Sequence, residues 1–233
     1  MSRCMQCHAQ FHEPLHILNF YKATPLICSS CEQQWEDMRI SESESPNVRR
    51  CERCLKVLAE DETTCLDCTF LEQSYRLIDQ LYCTYQYKGV VRETIHQYKF
   101  LKDVALAEVI ASKVCLPQEQ FDYIVPIPSP VERDRDRTFN PVKVVLDQMG
   151  VHYTEMLETR IRPKQSALGK MKRARSANPF TFNSEINIAN KSILLVDKLS
   201  FKKSSLKTTL LDVYAPFVQS ISTTDDSHHQ SIQ

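Results

Sequence analysis

The chain has little glycine and no long apolar run. Only three of its 233 residues are glycine (Gly89, Gly150 and Gly169), so no glycine follows position 169. Glycine adopts positive φ most easily, and its absence there argues against a glycine-rich phosphate loop in the last part of the chain. No apolar run approaches the ~18–20 residues of a membrane-spanning helix. The N-terminus carries no apolar signal segment either, so we expect a cytoplasmic protein.

Net charge is also lacking. The 29 Lys and Arg residues balance 29 Asp and Glu residues. This excludes a protein that coats nucleic acid with a basic surface all round, but leaves room for a local basic patch. Hydrophobic residues make up 42% and charged residues 25%, which is typical of a folded domain and not of a disordered chain. The length suits one α/β domain and a small accessory module.

Cysteine, by contrast, is abundant, with ten residues. A C-x-x-C turn can point two thiolates at one tetrahedral ion, and a reducing cytosol disfavours disulfides. We therefore predict zinc, bound twice in closed Cys4 sites that hold structure and do no metal catalysis. Eight cysteines form the four pairs: Cys4 and Cys7, Cys28 and Cys31, Cys51 and Cys54, Cys65 and Cys68.

Two arrangements are possible for which C-x-x-C pairs bind the same zinc ion. The first and second pairs are separated by 20 residues and the third and fourth by 10, which favours sequential pairing over an interleaved arrangement. His8 and His12 are near enough to be substitute ligands, but we expect both at the surface. Cys83 and Cys115 lie outside the pattern, and we expect them to be buried, unreactive thiols.

Strand-like and helix-like segments alternate after residue 70. This alternation predicts an α/β domain over residues 71–233, with a mostly parallel sheet flanked by helices, behind a zinc module over residues 1–70. Such sheets bind ligands beyond the carboxyl ends of their strands. Strands are predicted at 82–88, 121–127, 151–154, 193–196 and 217–222, and helices at 90–99, 104–114, 141–149 and 202–214.

Charge is divided unevenly between these parts. Residues 1–70 hold 7 basic and 11 acidic side chains, a net charge of 7 − 11 = −4, so the remainder carries +4. The segment 160–175 holds seven basic residues and no acid. It is either a solvated loop or a contact for phosphates, which the arginine fork binds through two oxygens.

Several motifs together resemble the ComF family, late-competence proteins built from a zinc finger and a phosphoribosyltransferase-like domain. The resemblance spans nearly the whole chain to residue 197. It implies a protein that is needed for natural transformation and that handles incoming single-stranded DNA. The implied partners are a competence helicase and other DNA-uptake proteins, and the protein is not expected to insert into a membrane. The motifs are the cysteine pairs, Q-Y-K-F-L-K-D (97–103), V-P-I-P (125–128), R-x-R-x-R-x-F-N (133–140), K-Q-S-A-L (164–168) with Arg173, and S-I-L-L-V-D (192–197).

The chain departs from the family where its members grip phosphoribosyl diphosphate. That loop usually has two acidic residues, an apolar pair and Thr-Thr-Gly-x-Thr; here the stretch is D-K-L-S-F-K-K-S-S (197–205). Lys198 replaces the second acid, and Phe201, Lys202 and Lys203 stand where Thr, Thr and Gly would be. Only Ser205 keeps a matching hydroxyl. We therefore expect the fold with weak or no catalysis, and magnesium only if transferase activity is retained.

Three functions stay open at this point. The leading function is DNA uptake, in which a group of mostly basic side chains binds the phosphates of DNA. The second is an active phosphoribosyltransferase with Asp197 and Lys99 in its site, and the third is a zinc-ribbon adaptor. The candidate phosphate- and DNA-binding residues are Lys99, Lys102, Arg137, Lys164, Arg173, Lys198, Lys202, Lys203 and Ser205.

Overall fold

The computed structural model describes residues 2–12, 17, 20–40, 48–73, 77–159, 180–183 and 186–197, and residues 200–205 by their backbone alone. None of the helices within these ranges is long and apolar enough to span a bilayer. The helices are α1 (Ser29–Asp37), α2 (Leu66–Glu72), α3 (Gly89–Phe100), α4 (Leu106–Lys113), α5 (Val131–Arg137) and α6 (Pro141–Gln148). The strands are β1 (Ser2–Arg3), β2 (Gln10–Phe11), β3 (Gln80–Cys83), β4 (Tyr123–Pro126), β5 (Leu157–Thr159), β6 (Phe180–Phe182), β7 (Ser192–Asp197) and β8 (Ser200–Ser205).

The main sheet has four strands in the order β3-β8-β7-β4. β4 and β7 are parallel, whereas β8 runs antiparallel to both β7 and β3. The prediction of a mixed α/β fold is confirmed, but that of a mostly parallel sheet is wrong for these strands, since two of the three pairings are antiparallel. The two short hairpins, β1-β2 and β5-β6, are antiparallel as well.

The antiparallel strand arises because the chain turns back directly after β7. Asp197 is paired with Ser200, and the ladder continues to Ser192 opposite Ser205. The helix predicted over 202–214 is therefore wrong for residues 202–205, which form strand. Residues 206–214 and the strand predicted at 217–222 lie outside the described residues.

Strand β7 joins two hydrophobic clusters. Leu194 and Val196 pack on the side of α3, α4 and α6, while Ile193 and Leu195 pack with Met156 and other residues of the β5-β6 hairpin. Successive side chains of a strand point to opposite faces, so a continuous apolar run is what a strand covered on both faces requires. The sequence-based prediction of a buried strand at 193–196 is confirmed.

The helices that pack on this sheet follow their local signals. Pro141 stands at the first position of α6, and the Asn140 side chain accepts hydrogen bonds from the N–H groups of Val142 and Lys143 at 3.0 and 3.1 Å. Helix α3 agrees with its prediction, and α4 begins two residues later than predicted. The strand predicted at 151–154 is absent from the assigned strands, although Thr154 N–H donates to Ile124 O at 2.8 Å beside β4.

The N-terminal part of the chain covers the outer edge of β3 and the segment after it. Leu81 N–H donates to Arg53 O at 2.8 Å, and Ile40 N–H donates to Thr84 O at 2.9 Å. Unpaired strand edges invite association with other chains, and these contacts block that edge. The core is also continuous here, since Trp35 belongs to the same buried cluster as α3 and α4. The predicted boundary near residue 70 stays a prediction.

The backbone at Thr138, where α5 ends, is strained, and a substitution can test this. Thr138 has φ 73°, in the left-handed region where a β-branched side chain is strained. We expect Thr138→Gly to raise the free energy of unfolding by about 0.5–1 kcal/mol, because glycine removes the strain at some cost in unfolded-state entropy. Urea titration measures this, given an unchanged m-value.

Ala111→Gly is the control for Thr138→Gly. Ala111 lies in α4 and is partly packed against the core, so glycine there adds an entropic cost and removes a methyl contact. This variant should lower the free energy of unfolding by about 1 kcal/mol or more. Destabilisation by both substitutions would contradict strain at Thr138.

Candidate metal centres and phosphate-binding surface

Each of the two cysteine clusters begins with the same tight turn. The residue after the second cysteine is left-handed in both, with φ 60° at His8 and at Leu55. Its amide N–H donates back to the carbonyl oxygen of the first cysteine, Cys4 or Cys51, at 2.9 and 2.8 Å. The two turns are thus built alike, although their sequences share only the cysteines.

The second half of each cluster is the start of a helix. Cys28 is the N-cap of α1 and Cys65 is the N-cap of α2, with Cys31 and Cys68 in the first turns that follow. The positive end of a helix dipole favours thiolates, which are the metal-binding form of cysteine. Each cluster therefore combines a turn with a helix N-terminus.

The sulfur positions fit one tetrahedral ion per cluster. With metal–sulfur bonds of ~2.3 Å, a regular tetrahedron has sulfur–sulfur edges of ~3.8 Å. The Sγ–Sγ separations are 3.8 Å for Cys4–Cys31, Cys7–Cys28 and Cys51–Cys68, and 3.6 Å for Cys54–Cys65. The cysteines group sequentially and are not interleaved, and either group could hold a metal ion. His8 and His12 are exposed and lie outside both groups.

Thiol ionisation is uneven within each cluster. Burial opposes ionisation of Cys4, but the backbone N–H groups of Cys7 and Cys28 lower its pKa to about 7. A hydrogen bond from the Cys68 thiol lowers the pKa of Cys54 to about 5, and the same contact raises the pKa of Cys68. Each cluster thus holds one thiol that ionises readily, and a bound metal ion would displace the remaining thiol protons.

The two clusters differ in what surrounds them. Cys4 and Cys31 of the first cluster belong to the main core, where the Trp35 and Tyr85 rings meet edge-on with centroids 5.1 Å apart. The Thr94 hydroxyl on α3 donates to Gln6 Oε1, in the first turn. The second cluster lies outside the main core and packs with Leu71, Leu77 and Leu58, while its Cys54 also packs against Ile78 and Leu81.

The two remaining cysteines are placed differently from expectation. Cys115 is exposed, so the prediction that it is buried is wrong; it follows the end of α4, where the chain leaves the core. Cys83 is half-buried, and its S–H donates to Tyr85 O at 3.1 Å. Neither belongs to a metal-compatible group among the described residues.

Three of the predicted phosphate-binding residues, Lys99, Lys102 and Arg137, lie on segments that meet at one end of α3. The Tyr98 hydroxyl donates to Pro141 O at 2.8 Å, and its ring lies 5.1 Å from that of Phe139. These contacts hold the end of α3, which carries Lys99 and leads to the exposed Lys102, against the segment that follows Arg137. Burial raises the pKa of Tyr98, which therefore donates as a neutral phenol.

Arg137 is partly shielded from solvent. Its side chain is 18% exposed, and its nearest guanidinium nitrogen lies 3.9 Å from Asp134 Oδ1, an ion-pair distance longer than a hydrogen bond. Burial lowers the pKa of Arg137, although Asp134 opposes this. The other Asp134 oxygen accepts a hydrogen bond from Asn140 Nδ2 at 2.7 Å. Arg137 nevertheless keeps its positive charge, because an arginine stays protonated in proteins.

Two buried polar atoms lie near the end of α3 and on α5 without hydrogen-bond partners in the described part of the chain. Among the described residues, Gln97 Oε1 and Asp134 Oδ1 are buried without a hydrogen-bond partner. The motifs at 97–103 and 133–140 contain these residues, but their spacing predicted no role for Gln97, Tyr98 or Asp134. The Asn-Pro pair at 140–141 is a sequence signal for the start of a helix. The residues next to Gln97 and Tyr98 in the sequence, by contrast, do not indicate which distant groups these side chains meet.

The other predicted site residues are not gathered there. Asp197 is the half-exposed last residue of β7. Lys202, Lys203 and Ser205 lie on β8, with backbone pairing to both β3 and β7 at the two lysines. Lys164, Arg173 and Lys198 lie outside the described residues.

The comparison with known proteins agrees with the motifs. Competence protein ComFC of Streptococcus pneumoniae strain R6 is 29% identical over 181 residues, which cover 74% of this chain and 74% of that protein. The chain is therefore similar to a competence protein of the ComF type. The resemblance to the ComF family that the motifs indicated is thereby confirmed. No family model matched the sequence, and no solved structure gave a significant match.

Proposed function

We propose that this chain functions in competence, binds single-stranded DNA in the cytoplasm during DNA uptake, and works beside a competence helicase. Its relative in Streptococcus pneumoniae is described as a competence protein. The observation that carries the proposal is the contact of Tyr98 with Pro141 and Phe139, which brings the segments bearing Lys99, Lys102 and Arg137 together. Three cations at one end of a neutral protein favour a phosphate backbone there.

The proposal includes weak or no phosphoribosyl transfer on a phosphoribosyltransferase-like scaffold. A phosphate loop holds its ligand with backbone N–H groups that are free to point at the anion. Residues 200–205 instead form strand β8, which pairs with β7 along its whole length and with β3 at residues 200–203, so its backbone groups are used in the sheet. This supports the expectation drawn from Lys198, Phe201 and Lys203.

We further propose that both cysteine clusters hold zinc in a structural role. Four thiolates at tetrahedral spacing are a typical zinc donor set and leave no open position for a substrate. The zinc-binding part is proposed as residues 1–70 and the phosphoribosyltransferase-like part as residues 71–233. The zinc units hold the edge of the sheet in place, and this suits a supporting role more than that of an independent adaptor.

Salt dependence tests the phosphate contacts. We expect the affinity for single-stranded DNA to fall as salt rises, and Lys102→Gln to reduce the slope of log K against log salt by about 0.7, the value for one released counterion on a single strand. Fluorescence anisotropy with a labelled oligonucleotide measures both quantities. Lys191→Gln is the control, because Lys191 pairs with Asp122 beside Ser192, at the opposite end of β7 from Asp197. Affinity independent of salt, or equal effects of the two substitutions, would argue against the proposed surface.

Calorimetry with phosphoribosyl diphosphate tests the second candidate. We expect no magnesium-dependent binding, because the backbone of β8 is committed to the sheet. Magnesium-dependent binding that is lost in Asp197→Asn would instead favour an active phosphoribosyltransferase with Asp197 and Lys99 in its site.

A further inference from the structure

The end of α3 exposes an unusual set of large apolar side chains. Phe100 is 58% exposed, Leu101 is 68% exposed, and Val104 in the following loop is 48% exposed. Single exposed apolar residues are common, but an adjoining group beside a functional surface is typical of a binding site. We call His96, Phe100, Leu101 and Val104 the α3-end patch.

Two aromatic rings of the α3-end patch face each other. His96 and Phe100 are four residues apart on the helix, and their ring centroids are 5.0 Å apart with an interplanar angle of 38°. Residues with this spacing lie on one face of a helix, so the exposed His96 supports the Phe100 ring from the preceding turn. The pair presents two exposed aromatic rings in a defined, tilted arrangement.

The charge around the α3-end patch is positive. Residues 88–104 contain four Lys or Arg side chains and two acids, Glu93 and Asp103. Arg92 is exposed one turn before His96, and Lys102 is exposed directly after Leu101. Cations on both sides of an aromatic surface complement a ligand in which flat apolar groups alternate with negative charges.

We propose that Phe100, supported by His96, is a stacking surface for the bases of single-stranded nucleic acid, and that Arg92 and Lys102 meet its phosphates. This inference rests on the proposed function and adds the mode of recognition. Proteins that bind single strands without sequence preference combine aromatic stacking with a cationic path for the backbone. A duplex hides the π faces of its bases, so the surface selects single strands.

Two oligonucleotides of equal length test the proposal. One is oligothymidine, and the other has the same phosphates but abasic sugars in place of its nucleosides. We expect tighter binding of oligothymidine, and a loss of about 5- to 100-fold in that affinity with Phe100→Ala, while binding of the abasic strand stays within twofold. Anisotropy titrations measure this, and a circular dichroism melt checks that the variant is folded.

Phe100→Trp supplies an independent signal. This variant should keep its affinity for oligothymidine, and the fluorescence of the new indole should be quenched by oligothymidine and not by the abasic strand. Trp35 is the one native tryptophan and is fully buried, so it contributes a constant background. The matched control is Phe70→Ala, since Phe70 is an exposed phenylalanine on α2, at the second cysteine cluster, and should not affect binding.

The outcomes separate this inference from the proposed function. Equal affinity of the native protein for both strands, or an equal loss for both in Phe100→Ala, would overturn base stacking and leave DNA binding intact. Failure of the native protein to bind either strand would overturn the proposed function itself.

Discussion

Replacing Cys31 with serine should unfold the main core, whereas replacing Cys68 with serine should disrupt only the second cysteine cluster. Cys31 is buried in the same cluster of side chains as Trp35, Val91 and Ile95. Structural zinc contributes ~10–16 kcal/mol in small zinc-binding peptides, which is comparable with the whole ~5–15 kcal/mol stability of a domain. If the first cluster holds zinc as proposed, losing that ion removes a contribution that the main core needs.

The second cluster has weaker ties to the sheet. Its side chains pack mainly with Leu71 and Leu77, outside the main core, and Cys54 also packs against Ile78 and Leu81. Leu81 N–H donates to Arg53 O at the edge of β3. Losing this support should lower the midpoint of thermal unfolding by only a few degrees, with the main core still folded.

Metal content and intrinsic tryptophan fluorescence measure both variants. Trp35 is fully buried beside the first cluster, so its emission should shift to longer wavelength in Cys31→Ser and stay unchanged in Cys68→Ser. Each variant should lose one of two equivalents of metal. Equal unfolding in the two variants would contradict the difference between the clusters.

Trp35→Ala should lower the free energy of unfolding by about 3–5 kcal/mol. The indole is fully buried between the first cysteine cluster and Tyr85, and its removal leaves a cavity that this tightly connected region cannot close. Trp35→Phe should cost clearly less. Among the described residues its buried Nε1–H has no hydrogen-bond partner, and phenylalanine removes that unpaired group while keeping a ring against Tyr85.

Urea unfolding followed by far-ultraviolet circular dichroism measures these differences without the tryptophan signal. Phe70→Ala is again the control and should change the free energy of unfolding by less than ~0.5 kcal/mol, because its ring is exposed. A cost for Trp35→Ala below ~1 kcal/mol would show that the first cluster and α3 do not share a core.

Local sequence signals accounted for much of the fold. The C-x-x-C spacing indicated the metal-compatible pairs, since a tight turn alone brings two thiols together. The apolar run of β7, the Pro141 start of α6 and the helical period of α3 depend on near neighbours, and all three were predicted. The ordered motifs indicated the ComF family, which the pneumococcal relative supports.

The tertiary structure alone decided how these pieces combine. Segment 200–205 reads as a loop and helix by analogy with the family, yet it forms a strand because β3 and β7 supply its hydrogen-bond partners. The unequal settings of the two clusters depend on which surface each meets: the first shares the main core with α3 through Gln6 and Trp35, and the second packs with Leu71, Leu77 and Leu81. Residue types and short spacings determine turns, caps and ligands, whereas pairing partners and shared cores depend on residues far apart in the chain, which no local pattern records.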